Sequence, residues 1–319
     1  MQRWLFWAAA AGAVAQQRRW QSAPGPRRQV PRRGGASPDG RRRLGGRGAL
    51  YLYEHIPKAG GVSYASDLVE RFGLKSCFGR QVKKVYANVT WAMARKKCDF
   101  GNTEGGYAGA LERFPWPPRV LLLLRDPAAH VVSQFSHCQM ASDLKKWGHD
   151  AATLDDWLDA WRGVLDGATE DDRERSLARA RKICHFDPVN MATRKLCGAY
   201  DKKDRVARTE NDTRCLGEAL EAVNDAWHVN VLEQYDRGLC ALSLRLRGKV
   251  LKHCDCGIPT EAIGRKEDHG AHSSSNRPSA ETRAKIAAIT DADAVLWRAA
   301  SARFEADARS LEAATCRRS

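Results

Sequence analysis

Apolar and polar residues follow two different periods along the chain, and these predict strands in alternation with helices. Residues 49–56 (ALYLYEHI) and 119–125 (RVLLLLR) are apolar runs of strand length, and the second is typical of a strand covered on both faces. Residues 227–236 (WHVNVLEQYD) predict a third strand. Because strands that alternate with helices usually build a parallel sheet, we expect an α/β fold with a central, mostly parallel sheet flanked by helices.

Helical spacing of apolar residues appears between and after these strands. Leu68 and Phe72 recur on one helical face after the first strand, and Gly73 is placed as a C-terminal cap. Pro127 stands near the first position of the next helix, where its missing N–H costs least. A Thr153 cap precedes an apolar face that includes two tryptophans, a pattern typical of the core. The predicted helices cover residues 63–73, 126–135, 153–166 and 279–313.

The positive charge is concentrated at the N-terminus. The formal net charge is +15, yet residues 1–48 contain eleven Arg, no Lys and one acidic residue, Asp39, and so contribute 11 − 1 = +10. The basic character belongs mainly to this segment, so nucleic acid is not a predicted partner.

The N-terminal segment also predicts the domain organisation. Residues 1–15 contain a twelve-residue apolar run, shorter than the roughly 20 residues that a membrane span needs, and predict a signal peptide or a short signal-anchor. Residues 16–48, rich in Arg, Gly and Pro, predict a disordered stem. Residues 49–319 then form the folded domain. The Arg-rich, acid-poor leader leaves a plastid or another organelle as an alternative address.

The cysteine content indicates an oxidising compartment. The chain has ten cysteines, an even number that is large for a cytosolic enzyme, and we expect several disulfides. Cys254 and Cys256 form only a C-x-C pair, without the second pair of a zinc site, so no metal is predicted. Sequons at Asn88 and Asn211 fit a glycoprotein of the secretory pathway.

Two loops carry the candidate chemistry. In HIPKAGGVS (55–63), Gly60 and Gly61 let the backbone approach an anion at the start of a helix, Lys58 adds a cation and Ser63 adds a hydroxyl donor. In RDPAAHVVSQF (125–135), the arginine ends a buried strand and offers a planar fork to a phosphate, and the serine of the following helix can donate to the same group. Both loops lie at carboxyl ends of strands, where ligands of such sheets bind.

Together these loops resemble the two signature motifs of sulfotransferases that use 3′-phosphoadenosine 5′-phosphosulfate (PAPS). The first is similar to the 5′-phosphosulfate loop, with Val62 for the usual Thr, and the second to the 3′-phosphate motif, with His130 where Arg is common. Residues 190–198 (NMATRKLCG) are similar to a segment of Golgi carbohydrate sulfotransferases, with Ala192 where Gln is expected. The resemblance covers about residues 49–310 and implies a P-loop-like three-layer fold.

The resemblance implies a role for each matching residue. Lys58 would bind the 5′-phosphate and the bridging oxygen, and Arg125 and Ser133 would bind the 3′-phosphate. A late loop, HSSSNRP (272–278), would close over the nucleotide. No metal is needed in this chemistry. The residues implied in donor binding are Lys58, Gly60, Gly61, Val62, Ser63, Arg125, Ser133, Ser273, Ser274 and Arg277.

The reaction also needs a base to take the acceptor's proton. The segment between the two loops has no His in CDFGNTEGGYAGALERFP (98–115), and its carboxylates are Asp99, Glu104 and Glu112. We favour Glu104 because the two following glycines permit a tight turn. His137, just after the second motif, is the other candidate.

The resemblance leaves the acceptor and the activity open to alternatives. A glycan acceptor, an anionic or neutral polysaccharide, in the Golgi lumen is the first expectation, with the N-terminus as a membrane anchor or a secretion signal. A protein tyrosine, a lipid or a small metabolite is an alternative acceptor. A kinase-like enzyme would require the Walker spacing, with Lys directly before Ser or Thr, which Lys58 and Ser63 do not have. The last alternative is a binding module for a nucleotide or glycan that has lost turnover.

Overall fold

A computed structural model gives the structure of the protein. It describes residues 50–77, 98–104, 118–199, 212–256, 258–259 and 278–316. Several predictions lie outside the described residues: the leader (1–15) and stem (16–48), the sequons at Asn88 and Asn211, the carboxylate Glu112, and the loop residues Ser273, Ser274 and Arg277.

The centre of the fold is a parallel sheet, which confirms the predicted α/β class. Its strands are β1 (Tyr51–Glu54), β2 (Phe100–Thr103), β3 (Arg119–Leu124) and β4 (His228–Val231), and their spatial order is β2-β1-β3-β4. All three neighbouring pairs are parallel. A short antiparallel pair, β5 (Cys254–Asp255) and β6 (Ile258–Pro259), forms a separate sheet.

Helices surround the central sheet. The described helices are α1 (Gly61–Glu70), α2 (Pro127–Cys138), α3 (Ala141–Trp147), α4 (Leu154–Asp166), α5 (Glu170–Ile183), α6 (Met191–Leu196), α7 (Asp212–Asp225), α8 (Tyr235–Arg247), α9 (Ala280–Ile289) and α10 (Asp291–Cys316). None of the helices in the described ranges has both the length and the apolar character that a membrane crossing requires.

The two faces of the sheet are buried against different helices. Leu121 and Leu123 of β3 belong to a core with α1 and α8, whereas Leu122 and Leu124 belong to a core with α6, α7 and α10. Both faces of β3 are therefore covered, which explains its continuous apolar run and confirms the prediction from the sequence.

The helices α2, α4, α5 and α9 enclose a third core. Trp157 and Trp161 of α4 are fully buried in it, as the periodicity predicts. Thr153 caps α4 through a capping box with Asp156, in which the Asp156 N–H donates to the threonine hydroxyl (3.1 Å). The predicted cap and helix are confirmed.

Two predicted boundaries are wrong. The strand expected over 227–236 ends at Val231, because a 3₁₀ turn (Leu232–Gln234) and then α8 follow directly. The helix expected over 279–313 is broken at Thr290, whose φ of −131° leaves the helical region. Gly73 does adopt a positive φ of 60°, but α1 ends three residues earlier, at Glu70.

The break at Thr290 coincides with a reciprocal cap between α6 and α10. The Asn190 carboxamide oxygen accepts from the N–H groups of Ala292 (3.0 Å) and Asp293 (3.2 Å) at the start of α10. In return the Asp293 carboxylate accepts from Ala192 N–H (3.1 Å) and from Thr193 N–H (2.8 Å) at the start of α6. Each helix supplies the group that satisfies the other's unpaired N–H donors.

Four disulfides connect the described elements: Cys77–Cys98, Cys138–Cys184, Cys197–Cys215 and Cys240–Cys254. Cys256 is also disulfide-bonded. This number of disulfides indicates an oxidising location in the secretory pathway, as the cysteine content predicts.

Candidate functional site

The strand order creates a crevice at the carboxyl ends of β1 and β3. After β1 the chain continues to β2 on one side, whereas after β3 it continues to β4 on the other side. Since the two connections diverge, the space between their starting points stays open, and such a point is where open α/β sheets bind ligands. The two loops predicted from sequence begin at this crevice.

The first loop is a tight turn that leads into α1. Lys58 has a φ of 66°, in the left-handed region that non-glycine residues rarely adopt, and Gly60 has a φ of 83°. A backbone held in this region costs about 1–3 kcal/mol and is found mainly at functional sites. The helix begins at Gly61, so the N–H groups of residues 61–63 have no partner inside the helix. The turn therefore presents N–H donors and the positive end of the helix dipole to an anion.

Close neighbours leave no room for a side chain at either glycine, and Gly60 is also required by its positive φ. A Cβ on Gly61 would lie 1.8 Å from Cδ2 of His55, so the imidazole ring packs directly against the first residue of α1. A Cβ on Gly60 would lie 2.6 Å from Cδ1 of Leu232. The loop is thus fixed between the end of β1 and the turn after β4.

The second loop meets the first through Arg125. Its Nη1 donates to the Lys58 carbonyl oxygen (3.0 Å). Asp126 caps α2 by accepting from Ala129 N–H (2.9 Å), and Pro127 is the first residue of that helix, as predicted. A guanidinium has five N–H donors, so the bond to the loop is compatible with binding an anion in the same crevice.

His130 makes a second connection between the loops. Its Nε2 lies 2.7 Å from the carbonyl oxygen of Pro57 and must donate, since a carbonyl can only accept. Burial, assisted by the charges of Arg125 and Lys58, lowers the pKa of His130 to about 4. The residue that replaces the common Arg is therefore a neutral donor that holds the first loop. Ser133, one turn further on the same face, is buried.

Glu104 faces His55 across the neighbouring strand ends. In the β1–β2 pairing Glu54 stands beside Thr103, so the next residues of the two chains, His55 and Glu104, are neighbours. His55 Nδ1 lies 3.1 Å from Glu104 Oε1. The favoured base is thus located at the carboxyl end of β2, beside the residue that opens the phosphate-loop motif.

A buried lysine reaches the same strand end from the opposite face of the sheet. Lys195 of α6 is 1% exposed, and its ammonium donates to the Glu104 carbonyl oxygen (2.7 Å). Beside it, Arg194 and Asp187 form a buried ion pair (2.7 Å). Burial raises the pKa of Asp187 despite the neighbouring Arg194 charge. Lys195 therefore has a structural role in holding the end of β2.

The other base candidates within the described residues, Asp99 and His137, do not lie in the crevice. Asp99 precedes β2, at the amino end of the sheet, where its carboxylate accepts from Lys75 N–H (2.7 Å). His137 lies ten residues after Pro127, about 15 Å along α2 from the crevice.

Two further residues predicted to bind the donor, Val62 and Ser63, are in the first turn of α1, and Ser63 is buried.

Two residues of this site, His55 and Lys195, have roles that the sequence does not indicate. In the sequence His55 is only the first residue of the loop motif, and its position directly after β1 is the one signal that pairs it with a residue directly after β2. Lys195 lies in the 190–198 segment, but its contact spans 91 residues and leaves no periodic signal.

A scan against known protein families and a search of curated proteins return no match for this chain. The functional assignment therefore depends on the two motifs and on the geometry of the crevice.

Proposed function

We propose that the chain is a sulfotransferase that transfers a sulfuryl group from PAPS to a hydroxyl or amine of a glycan. The observation that carries the proposal is the hydrogen bond from Arg125 Nη1 to the Lys58 carbonyl oxygen (3.0 Å). It joins the two loops whose motifs resemble the 5′-phosphosulfate and 3′-phosphate motifs. A nucleotide with anionic groups on both its 5′ and 3′ sides fits a crevice bordered by these two cationic residues.

The first loop supports transfer chemistry as well as binding. In the proposed step the acceptor oxygen or nitrogen attacks sulfur, the bond from sulfur to the 5′-phosphate oxygen breaks, and the bisphosphate nucleotide leaves. Negative charge then develops on the bridging oxygen. The Lys58 ammonium and the N–H groups at the start of α1 are donors fixed before the reaction, and such donors typically contribute 10²–10³-fold to the rate.

Glu104 is the proposed base, and His55 positions it. The acceptor loses a proton as it attacks, and a carboxylate at the carboxyl end of β2 can accept that proton. His55 Nδ1 at 3.1 Å and the Lys195 bond to the Glu104 backbone both restrict where this carboxylate can point. The pair thus provides a fixed base at the strand end next to the phosphate loop.

The disulfides support a lumenal enzyme, and the proposed compartment is the Golgi. Glycan acceptors are sulfated in that compartment by proteins of the family that the two loops and residues 190–198 resemble. The proposed acceptor is an anionic or neutral polysaccharide. Protein tyrosines, lipids and small metabolites are the alternative acceptors to test beside it.

The test combines transfer and binding. Incubation of the protein with ³⁵S-labelled PAPS and a panel of glycans should give labelled glycan, and Lys58→Ala should lower kcat by about 10²–10³-fold. Lys75→Ala, an exposed lysine near the amino end of the sheet, is the matched control and should keep full activity.

Binding of the 3′-phosphate has its own measurement. Arg125→Ala should lower the affinity for PAPS, measured by calorimetry, by about 10–100-fold, because a charge-assisted hydrogen bond is lost. The affinity for ATP should change much less. Arg119→Ala, at the amino end of the same strand, is the matched control. Equal losses for PAPS and ATP would contradict the 3′-phosphate assignment, and tight PAPS binding without transfer to any acceptor would indicate a binding module.

A further inference from the structure

A second cluster of reactive side chains lies at the far end of α2, away from the crevice. Cys138 is the last residue of α2, His149 follows α3, and His185 follows α5. His149 Nε2 is 3.3 Å from His185 Nδ1, and Cys138 Sγ is 3.7 Å from the same His185 nitrogen. All three atoms lie within 4.8 Å of one another.

The two separations that involve His185 Nδ1 match those of ligands around a tetrahedral zinc ion, and the remaining one is within 4.8 Å. With Zn–N near 2.05 Å and Zn–S near 2.3 Å, two nitrogens are about 3.4 Å apart and a nitrogen and a sulfur about 3.6 Å apart. A hydrogen-bonded histidine pair would explain the first distance alone, but not the sulfur at the third corner. One cation could therefore contact all three atoms after only small movements of the side chains.

The backbone holds the cluster together without a metal. The Gln139 carboxamide donates to the carbonyl oxygens of Ile183 (3.1 Å) and Asp150 (3.4 Å) and accepts from Ala152 N–H (3.4 Å). Asp150 N–H also donates to the Lys182 carbonyl oxygen (2.7 Å). The Gln139 side chain thus restrains the residue after His149 and the residue two positions before His185, which reduces the entropy lost on metal binding.

One covalent bond blocks this arrangement, because Cys138 is in a disulfide with Cys184. A thiolate is a strong zinc ligand, whereas a disulfide sulfur has no charge and binds metals poorly. We propose that Cys138, His149 and His185 form a zinc-class metal site that the Cys138–Cys184 disulfide closes and a thiol reductant opens. Two equivalents of thiol reduce the disulfide and become oxidised to their own disulfide. The Cys138 thiol then loses its proton to solvent as the metal binds, with water as fourth ligand.

The first experiment removes the disulfide without a reductant, so that the other disulfides stay intact. In Cys184→Ala the Cys138 thiol is free, and we expect this variant to bind one Co²⁺ with a thiolate-to-metal charge-transfer band and to exchange it for Zn²⁺. Its Zn²⁺ affinity should exceed that of the oxidised wild type by about 100-fold, because a thiolate joins the two imidazoles. Circular dichroism reports whether the variant is folded.

The controls separate metal binding from loss of the disulfide. The double variant Cys138→Ala/Cys184→Ala lacks the same disulfide but has no thiol, and it should not show the charge-transfer band. In the Cys184→Ala background, His185→Ala should lower affinity strongly, whereas His253→Ala, in the turn before β5, should not. Tight binding by the double variant, or none by folded Cys184→Ala, would overturn the proposal.

A second measurement uses the wild-type chain and does not depend on the folding of any variant. The protein is equilibrated in a glutathione redox buffer with and without Zn²⁺, its thiols are alkylated, and the reduced fraction of each disulfide is measured by mass spectrometry. Zn²⁺ should increase the reduced fraction of Cys138–Cys184 several-fold by mass action and leave Cys240–Cys254 unchanged. An equal reduced fraction with and without Zn²⁺ would overturn the proposal.

Discussion

At the scale of single residues, the candidate site depends on backbone positions that only certain side chains tolerate. Lys58 holds a left-handed φ of 66° although it is not glycine, and Gly61 lies against the His55 ring. Both features reduce stability or restrict the sequence without improving the core. They are most simply explained by the need to place a cation and N–H donors at one point of the crevice.

Lys58 allows strain and function to be separated. Lys58→Gly and Lys58→Ala should both lose the proposed sulfuryl transfer, because both lack the ammonium. Lys58→Gly should be more stable than Lys58→Ala by about 1 kcal/mol, since glycine adopts a positive φ without a steric penalty. Urea denaturation measures the free energy of unfolding of both variants. Equal values would contradict the claim that the positive φ at residue 58 is strained.

Gly61 tests whether the His55 contact fixes the loop. Gly61→Ala places a Cβ against the imidazole ring and should lower the free energy of unfolding by about 1–3 kcal/mol, as overpacking does. Gly217→Ala is the matched control, because a Cβ there meets nothing within 4 Å on an exposed helical position. The control should gain about 0.5–1 kcal/mol, measured by the same denaturation.

At the scale of elements, the sequence predicted what local signals encode. The apolar run of β3, the Asp126–Pro127 start of α2 and the Thr153 cap of α4 each depend on neighbouring residues, and the structure has them as expected. The break at Thr290 was missed because helical propensity continues through it. Its cause is Asn190, about 100 residues away, which supplies the cap for α10.

The reciprocal cap gives a dependence of stability on pH. Burial raises the pKa of Asp293 to about 6 from 3.8, despite the hydrogen bonds it accepts. The folded state therefore binds a proton more tightly than the unfolded state, so this contribution to stability is full below pH 4 and is lost as the pH rises through 6.

The matching experiment compares wild type with Asp293→Asn, whose carboxamide does not titrate. Between pH 7 and pH 5 the wild type should gain about 1 kcal/mol relative to the variant. Denaturation curves at the two pH values measure this difference. Asp225→Asn, which changes an exposed carboxylate at the C-terminal end of α7, away from the cap, is the control. If wild type and Asp293→Asn differ by the same free energy of unfolding at both pH values, the raised pKa of Asp293 is contradicted.

At the scale of the whole molecule, disulfides hold the edges of the fold around the crevice. Cys77–Cys98 joins the chain after α1 to a residue two positions before β2, and Cys77 N–H also donates to the Phe100 carbonyl oxygen (2.9 Å). In the described part of the sheet β2 is an outermost strand, and it carries Glu104 at its carboxyl end. This disulfide therefore restrains the strand on which the proposed base depends.

Removal of that disulfide should affect turnover more than donor binding. Cys77→Ser/Cys98→Ser should lose about 3 kcal/mol of stability and lower kcat with little change in PAPS affinity, because Lys58 follows β1 and Arg125 follows β3. The Cys240–Cys254 disulfide closes a loop of similar length, 14 residues against 21. The control variant Cys240→Ser/Cys254→Ser should therefore lose similar stability without the selective loss of kcat. Steady-state kinetics and calorimetry separate the two outcomes.

The site itself was only partly predictable from sequence. Short motifs in the sequence identify Lys58, the two glycines and Arg125, because their roles depend on neighbouring residues. The pairing of His55 with Glu104 depends on the register of two strands, and the contact of Lys195 spans 91 residues. Neither leaves a periodic pattern in one sequence, so only the folded arrangement identifies them.

The reciprocal cap between α6 and α10 also determines when these helices can form. Helix α6 has six residues, too few to persist alone in water, and its N–H groups find Asp293 only after a segment of about 100 residues has closed. Both helix starts should therefore become ordered after the folding transition state. Asn190→Ala and Asp293→Ala should accelerate unfolding and leave the refolding rate nearly unchanged, which corresponds to φ-values near zero in stopped-flow measurements.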